Sequence, residues 1–285
     1  MSDYYIGVDV GTTSARAGIF TEEGNMLISS SKNIEMWKEI PNHIEQSSTD
    51  IWNSVCWVVR EVVKESGIAK NNIKGIGFDA TCSLVALDNK DNSVSVSLSN
   101  DDNRNVIVWM DHRAINEAEF INATNHSVLK YVGGNISPEM ETPKLLWLKK
   151  FHPTCCKRAT KFFDLPDFLV YKATGQDVRS LCSVVCKWTY LGHSSNRVAD
   201  SIGDWDDSYF KEIGLEDLVQ EKYSRIGNKI RPIGENISKG ISEKSAEELG
   251  LNIGTAVSVS IIDAHAGGIG VLGATVDEIE FNDKN

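Results

Sequence analysis

A chain of 285 residues with 41% hydrophobic and 24% charged side chains has the makeup of a folded globular protein, which excludes disorder as its main state. Its 40 acidic against 29 basic side chains give a formal net charge of −11, a field that opposes nucleic acid and anionic membrane surfaces. No apolar run approaches the ~18 residues of a membrane span, and six cysteines are too sparse for a disulfide framework, so a reducing, cytoplasmic setting is expected.

In chain order, Ile6, Val8 and Val10 alternate with Gly7 and Asp9 and predict a strand. Past a Gly11-Thr12-Thr13-Ser14 turn, Ala15 to Phe20 predicts a second strand, and Met26 to Ile28 a third, so the chain opens as a β-meander. A helix is expected from Ser47 or Ser48, with Asp50 assisting the cap and Ile51, Trp52, Val55, Val59, Val62 and Val63 as its buried stripe. Ile73 to Phe78 predicts a strand ending at Asp79, Leu84 to Leu87 a hairpin-like return, and Val106 to Trp109 a further short strand.

The middle of the sequence turns helical. Thr142 and Pro143 have the form of an N-cap and first helical residue before Lys144 to Leu148, and Asp164 to Gly175 predicts another helix with Pro166 near its start. Residues 88–105 and 192–208, rich in Asn, Asp and Ser, read as solvated loops. A helix around Ser245–Leu249 leads through Gly250 and Gly254 into a strand Ala256–Ile262, which ends at Asp263. The order β-β-β-α-β is the opening of a ribonuclease-H-like sheet, the core of actin-like ATPases and sugar kinases, an analogy of fold that proves no function.

Several segments carry groups suited to chemistry. Asp9 with Gly11, Thr12, Thr13, Ser14 and Arg16 offers a strand-end carboxylate beside a turn whose N–H groups and hydroxyls point outward, which suits phosphate and Mg²⁺. The same turn also suits an ordinary hairpin whose hydroxyls satisfy their own backbone. Asp263, at a strand end before small residues and glycines, suits a base that accepts a hydroxyl proton, and equally an N-cap. His265 alone is too little for a metal site. Lys187 beside Trp188 would reach a sugar hydroxyl or stand as a solvated surface charge. Cys182 and Cys186 lie a helical turn apart and read as small buried residues. Trp109, Asp111 and Arg113 suit a sugar or a domain-edge ion pair, and both readings stay open.

Taken together, these segments resemble the FGGY carbohydrate kinase family, in its D-ribulokinase-like branch. The resemblance runs in order through Asp9–Arg16, Asn42–Ser47, Gly77–Val85, Asp164–Gly175 and Leu251–Asp263. It implies a ribonuclease-H-like α/β domain with a mixed sheet flanked by helices over residues 1–272, and ATP- and Mg²⁺-dependent phosphorylation of a ketopentose. By position it implies Asp263 as general base; Asp9, Gly11, Thr12, Thr13, Ser14 and Arg16 toward ATP, with Asp9 toward the metal; and Ala80, Thr81, Lys187, Asp263, Asp111 and Arg113 toward the sugar. Family members continue into a second domain, whereas here residues 273–285 read as a short divergent tail. Turnover by this chain alone is therefore not expected. A sugar-binding or regulatory form without turnover is the alternative, and self-association would occur through the face a second domain would cover.

Overall fold

The computed structural model describes residues 2–194 and 201–272. The chain opens with β1 (Tyr4–Val10), β2 (Ser14–Thr21) and β3 (Met26–Asn33), the expected meander. Two short strands, β4 (Met36–Trp37) and β5 (Glu45–Gln46), lead into α1 (Ser48–Ser66). The Asp50 amide donates to the Ser47 hydroxyl at 3.2 Å to cap α1, and Gly67 ends the helix at φ 66°, a left-handed geometry that favours glycine. Ile51, Trp52, Val55, Val58, Val59 and Val62 form its buried stripe, while Val63 is only partly covered.

β6 (Ile73–Ala80), β7 (Leu84–Leu87) and β8 (Val106–Ile107) follow. β8 stops short of the expected Trp109, whose amide leaves the ladder for the Ser83 hydroxyl at 3.1 Å. Then come α2 (Ile115–Ala123), α3 (Glu141–Phe151), α4 (Pro153–Arg158), β9 (Lys161–Asp164), α5 (Leu165–Thr174), β10 (Arg179–Ser180) and α6 (Leu181–Lys187). The chain continues through α7 (Asp207–Glu212), α8 (Glu216–Gln220), β11 (Ile230–Arg231), β12 (Asn236–Ile237), α9 (Glu243–Leu249), β13 (Ala256–Ser258), β14 (Ile261–Ile262) and α10 (Asp263–Val271).

Three expectations are corrected here. Thr142 does not cap α3: the cap is Met140, and the Thr142 hydroxyl is bonded to that of Tyr209 at 3.0 Å. Pro143 therefore sits within the first turn, where its missing N–H has no intrahelical partner to lose. Residues 88–105 are not a fully solvated loop, because Val94 and Val96 alternate into the core while their amides bond Ala86 and Arg104 carbonyls. In the 192–208 stretch, Trp205 is buried against Tyr190 and Tyr223, and Asp206 caps α7; residues 195–200 lie outside those described.

The main sheet runs β12-β13-β6-β1-β2-β3, with β14 also paired to β6 beyond β13. β1, β6, β13 and β14 are parallel, and the meander is antiparallel, which makes the sheet mixed. α1, α5 and α9 cover it over one core, with Val8, Ile19, Val55, Phe78, Leu169 and Val257 inside. A second, antiparallel sheet β4-β5-β8-β7-β9 abuts a helical core built on Leu84, Ile107, Trp147, Phe162, Tyr209 and Phe210. Among the described residues no helix is long and apolar enough to cross a membrane.

Candidate functional site

Because β1, β6 and β14 are parallel, their C-terminal ends share one rim of the main sheet. Val10, Ala80 and Ile262 stand side by side there, so the Gly11–Ser14 turn, Thr81 and Asp263 leave the sheet from neighbouring positions. The predicted strand Ala256–Ile262 reaches that rim through a bulge. Four residues from Val257 to Ile261 advance against only three of β6, from Ile76 to Asp79. A bulge bends its strand and re-aims the residues after it, here the segment that carries Asp263.

Asp9 lies opposite both Asp79 and Arg16 in the ladders, and the Arg16 guanidinium pairs with its carboxylate at 2.9 Å. Burial, followed by the charges of Asp9 and Asp263, pushes the Asp79 carboxyl up to about 7 against the pull of Arg16. Sequence reading took Asp79 as a strand end within the Gly77–Val85 segment and gave its carboxylate no role. Its partnership with Asp9 depends on a pairing between strands some seventy residues apart. The turn itself is tied down from several sides. The Gly11 amide donates to the Ser14 carbonyl at 3.0 Å, so this N–H points into the turn and not outward as expected. Gln46 Nε2 donates to the Thr12 carbonyl at 2.8 Å, and Trp109 Nε1 to the Thr12 hydroxyl at 3.0 Å. A Cβ on Gly11 would come within 3.1 Å of Arg16 Nη2, so glycine here lets the arginine lie across the turn. Thr13 is exposed, and Ser14 is half-buried.

On the other side of the rim, Ala80 and Thr81 are buried, and the Thr81 amide donates to the Val10 carbonyl at 3.0 Å. Asp263 is the first residue of α10 and not its cap; its Oδ1 accepts the Ala264 amide at 2.7 Å. Lys187 ends α6, a helix that packs on β14. It lines a cavity of about 910 Å³ with Met140, Cys186, Tyr190 and His265. Burial opposes the Lys187 charge, but Cys82, Glu141 and Asp164 outweigh it and hold its pKa above that of a free lysine.

Those two carboxylates form a buried group that sequence reading missed. Glu141, Lys144 and Asp164 are fully buried, with Lys144 Nζ 3.4 Å from Glu141. Burial pushes both acids up, and the charge of Glu141 raises Asp164 further, while the nearby Lys144 and Lys187 oppose the shift of Glu141. The Trp188 indole also donates to Asp164, at 2.6 Å. The available signal was charged residues at positions where the surrounding pattern, Met140 to Leu148 and Phe162-Phe163, calls for apolar ones.

Asp111 and Arg113 fall elsewhere. Arg113 donates from Nε and Nη2 to Asp111, from Nη2 to Glu45 at 2.9 Å and from Nη1 to the Val96 carbonyl at 2.9 Å, and its guanidinium stacks on Trp147. Asp111 is fully buried and also accepts the Ile44 amide. This is the geometry of the ion-pair reading: the pair ties the second sheet to its helices, with both side chains fully buried. Cys182 and Cys186 share a face of α6 and are half-buried. Cys182 Sγ lies 3.0 Å from His265 Nδ1, and burial pushes this thiol up to about 11, so it stays protonated at neutral pH.

The rim suits a magnesium-bound phosphate. Asp9, Asp79 and Asp263 crowd three carboxyls against one guanidinium, a surplus of oxygen donors that a divalent cation relieves. Among the described residues no three His, Cys, Asp or Glu side chains come close enough to hold a metal by themselves.

A mixed sheet of this order, with strand-end carboxylates beside a hydroxyl-rich turn, is the actin-like ATPase fold of the sugar kinases. It superimposes on the xylulose kinase of Lactobacillus acidophilus with TM-score 0.77 at 20% identity, covering 95% of this chain and 50% of that one. It superimposes likewise on the glycerol kinase of Plasmodium falciparum, with TM-score 0.75 at 18% identity over 94% of this chain and 50% of the other. The chain belongs to the FGGY family of carbohydrate kinases, whose N-terminal domain it matches over residues 4–270. It is 51% identical to the human FGGY carbohydrate kinase domain-containing protein, across 96% of this chain and 48% of the relative. It is 45% identical to the D-ribulokinase of Saccharomyces cerevisiae, across 95% of this chain and 38% of the relative. The chain thus spans about half the length, or less, of these curated relatives.

Proposed function

We propose that this chain is the sugar-holding half of a kinase that phosphorylates a hydroxyl of a ketopentose such as D-ribulose, with Mg²⁺-ATP as donor. The observation that carries the reading is the shared register of Val10, Ala80 and Ile262, which gathers the phosphate-type turn and Asp263 at one rim. Likeness to a D-ribulokinase supports the substrate class.

In this reading the Asp263 carboxylate accepts the proton of the sugar hydroxyl as that oxygen attacks the γ-phosphorus. The backbone at Ala80, the Thr81 side chain and the Lys187 ammonium orient the sugar. Thr12, Thr13, Ser14 and Arg16 meet the phosphates, with Gly11 giving Arg16 its room, and Asp9 would hold the cation through oxygen. Bound Mg²⁺ supplies charge neutralisation for the transferring phosphoryl group.

All of these groups lie on one side of the substrate, so turnover calls for a facing wall that closes over it. The exposed Ile269, Val271 and Leu272 of the α10 segment support a covering partner or self-association there. A sugar-binding form without turnover shares every pocket residue and is separated from the kinase by rate alone. The test is a phosphotransfer assay with D-ribulose on this chain extended by the C-terminal half of a relative. Asp263→Asn keeps the shape and removes the base, so turnover is expected to fall ~10²–10⁴-fold while the sugar still binds. An Asn variant within a few-fold of the parent contradicts the assignment.

A further inference from the structure

We infer that Asp167 is a positioning residue, a buried clamp that fixes the helix ending in Lys187 and the strand end bearing Asp263 to one another. Asp167 sits near the start of α5 and is 1% exposed. Its Oδ1 accepts two hydrogen bonds, from the Ser180 amide at 2.9 Å and from the Ser260 hydroxyl at 2.7 Å. The Ser180 hydroxyl closes the ring by donating to the Ser260 carbonyl at 2.7 Å. Three residues from three separate segments are thus locked in a buried triangle.

Each serine begins a path to the site. Ser180 is the N-cap of α6, whose hydroxyl also accepts the Cys182 amide at 3.2 Å; α6 is a single short helix with Lys187 at its far end. Ser260 lies in the bulge between β13 and β14, where the chain has left its ladder with β6. After the bulge only Ile261 and Ile262 pair with β6 before Asp263, and so short a ladder fixes a strand end poorly without another tie. Asp167 supplies that tie, and by holding both serines on one oxygen it sets the spacing between the two paths.

Both donors need an acceptor of this shape, not a charge. Burial pushes the Asp167 carboxyl up to about 7, with Arg179 opposing, so the neutral acid is already accessible near physiological pH. Asn at this position keeps an Oδ1 for both donors, whereas Ala removes it. That contrast separates positioning from mere filling of space.

The functional consequence rests on the proposed roles of Lys187 and Asp263, so the test reads the clamp and the sugar separately. Amide hydrogen exchange by mass spectrometry on the 285-residue chain follows peptides covering 181–187 and 261–266. In Asp167→Ala both segments are expected to exchange about 10-fold faster or more, together, while β1 and α1 keep their protection. D-ribulose binding by calorimetry is expected to weaken roughly 10-fold or more in the same variant, since small misplacements of positioning groups are costly. Asp167→Asn is expected to restore both readouts to within about 2-fold, because the acceptor survives. Should Asp167→Ala fail to fold, Ser260→Ala carries the test, opening 261–266 while 181–187 stays protected by the remaining bond from Ser180. Unchanged exchange in both segments, a change in only one of them in Asp167→Ala, or an Asn variant that behaves like Ala overturns the clamp. A parent that binds no D-ribulose yet shows the paired exchange refutes the proposed substrate and leaves the clamp standing.

Discussion

At the scale of single residues, the fold holds several carboxyls as acids far above their ordinary range, and Asp167 makes the consequence measurable. Its pKa rises from 3.8 to about 7 on folding. Between those values the native state binds more protons than the unfolded chain, so this group's contribution to stability falls as pH rises from about 4 to 7 and is level above it. Replacing Asp167 by Asn removes the titration. Chemical denaturation from pH 4.5 to 7.5 is therefore expected to show the parent losing stability relative to Asp167→Asn as pH rises; parallel curves contradict the burial argument. The residues that sequence alone offered as candidates, Asp9, Thr12, Lys187 and Asp263, belong to short motifs read along the chain. Asp79, Glu141, Asp164 and Asp167 were not legible as a group. Each becomes meaningful through a partner from a distant segment: Asp9 across the ladder, Asp164 across from α3, Ser260 across from α5.

At the scale of elements, periodicity identified β1, β2, α1 and β6 because each buries one face against the same core. It failed where composition masked burial. The serines and asparagines of 88–105 suggested solvent, yet Ser95 and Ser97 are buried with their hydroxyls bonded locally, and Val94 and Val96 fill the second core. This distinction has a direct test. Val96 is fully buried in the second core, so Val96→Asp places a charge among apolar side chains. Its cost is expected at ~3 kcal/mol or more, against ~0.5 kcal/mol or less for a change in a solvated loop. A denaturation midpoint within error of the parent contradicts the burial of this segment.

At the scale of the whole molecule, two cores meet along a rim where parallel strands end, and the candidate site is what that convergence brings together. The order of strands was legible because the β-β-β-α-β opening is local in sequence. The bulge before β14, the burial of Asp111 with Arg113, and the clamp at Asp167 were not, since each depends on how separate elements dock. The central claim is that sugar recognition resides within these 285 residues, at a rim that includes Lys187 and Asp263. Isothermal titration of D-ribulose into the purified chain tests it most directly. Weak but saturable binding is expected, weaker than in a closed two-domain enzyme because closure orders such sites, and it should be lost in both Lys187→Ala and Asp263→Ala. A parent that binds no D-ribulose, or variants that bind as well as the parent, contradicts the account.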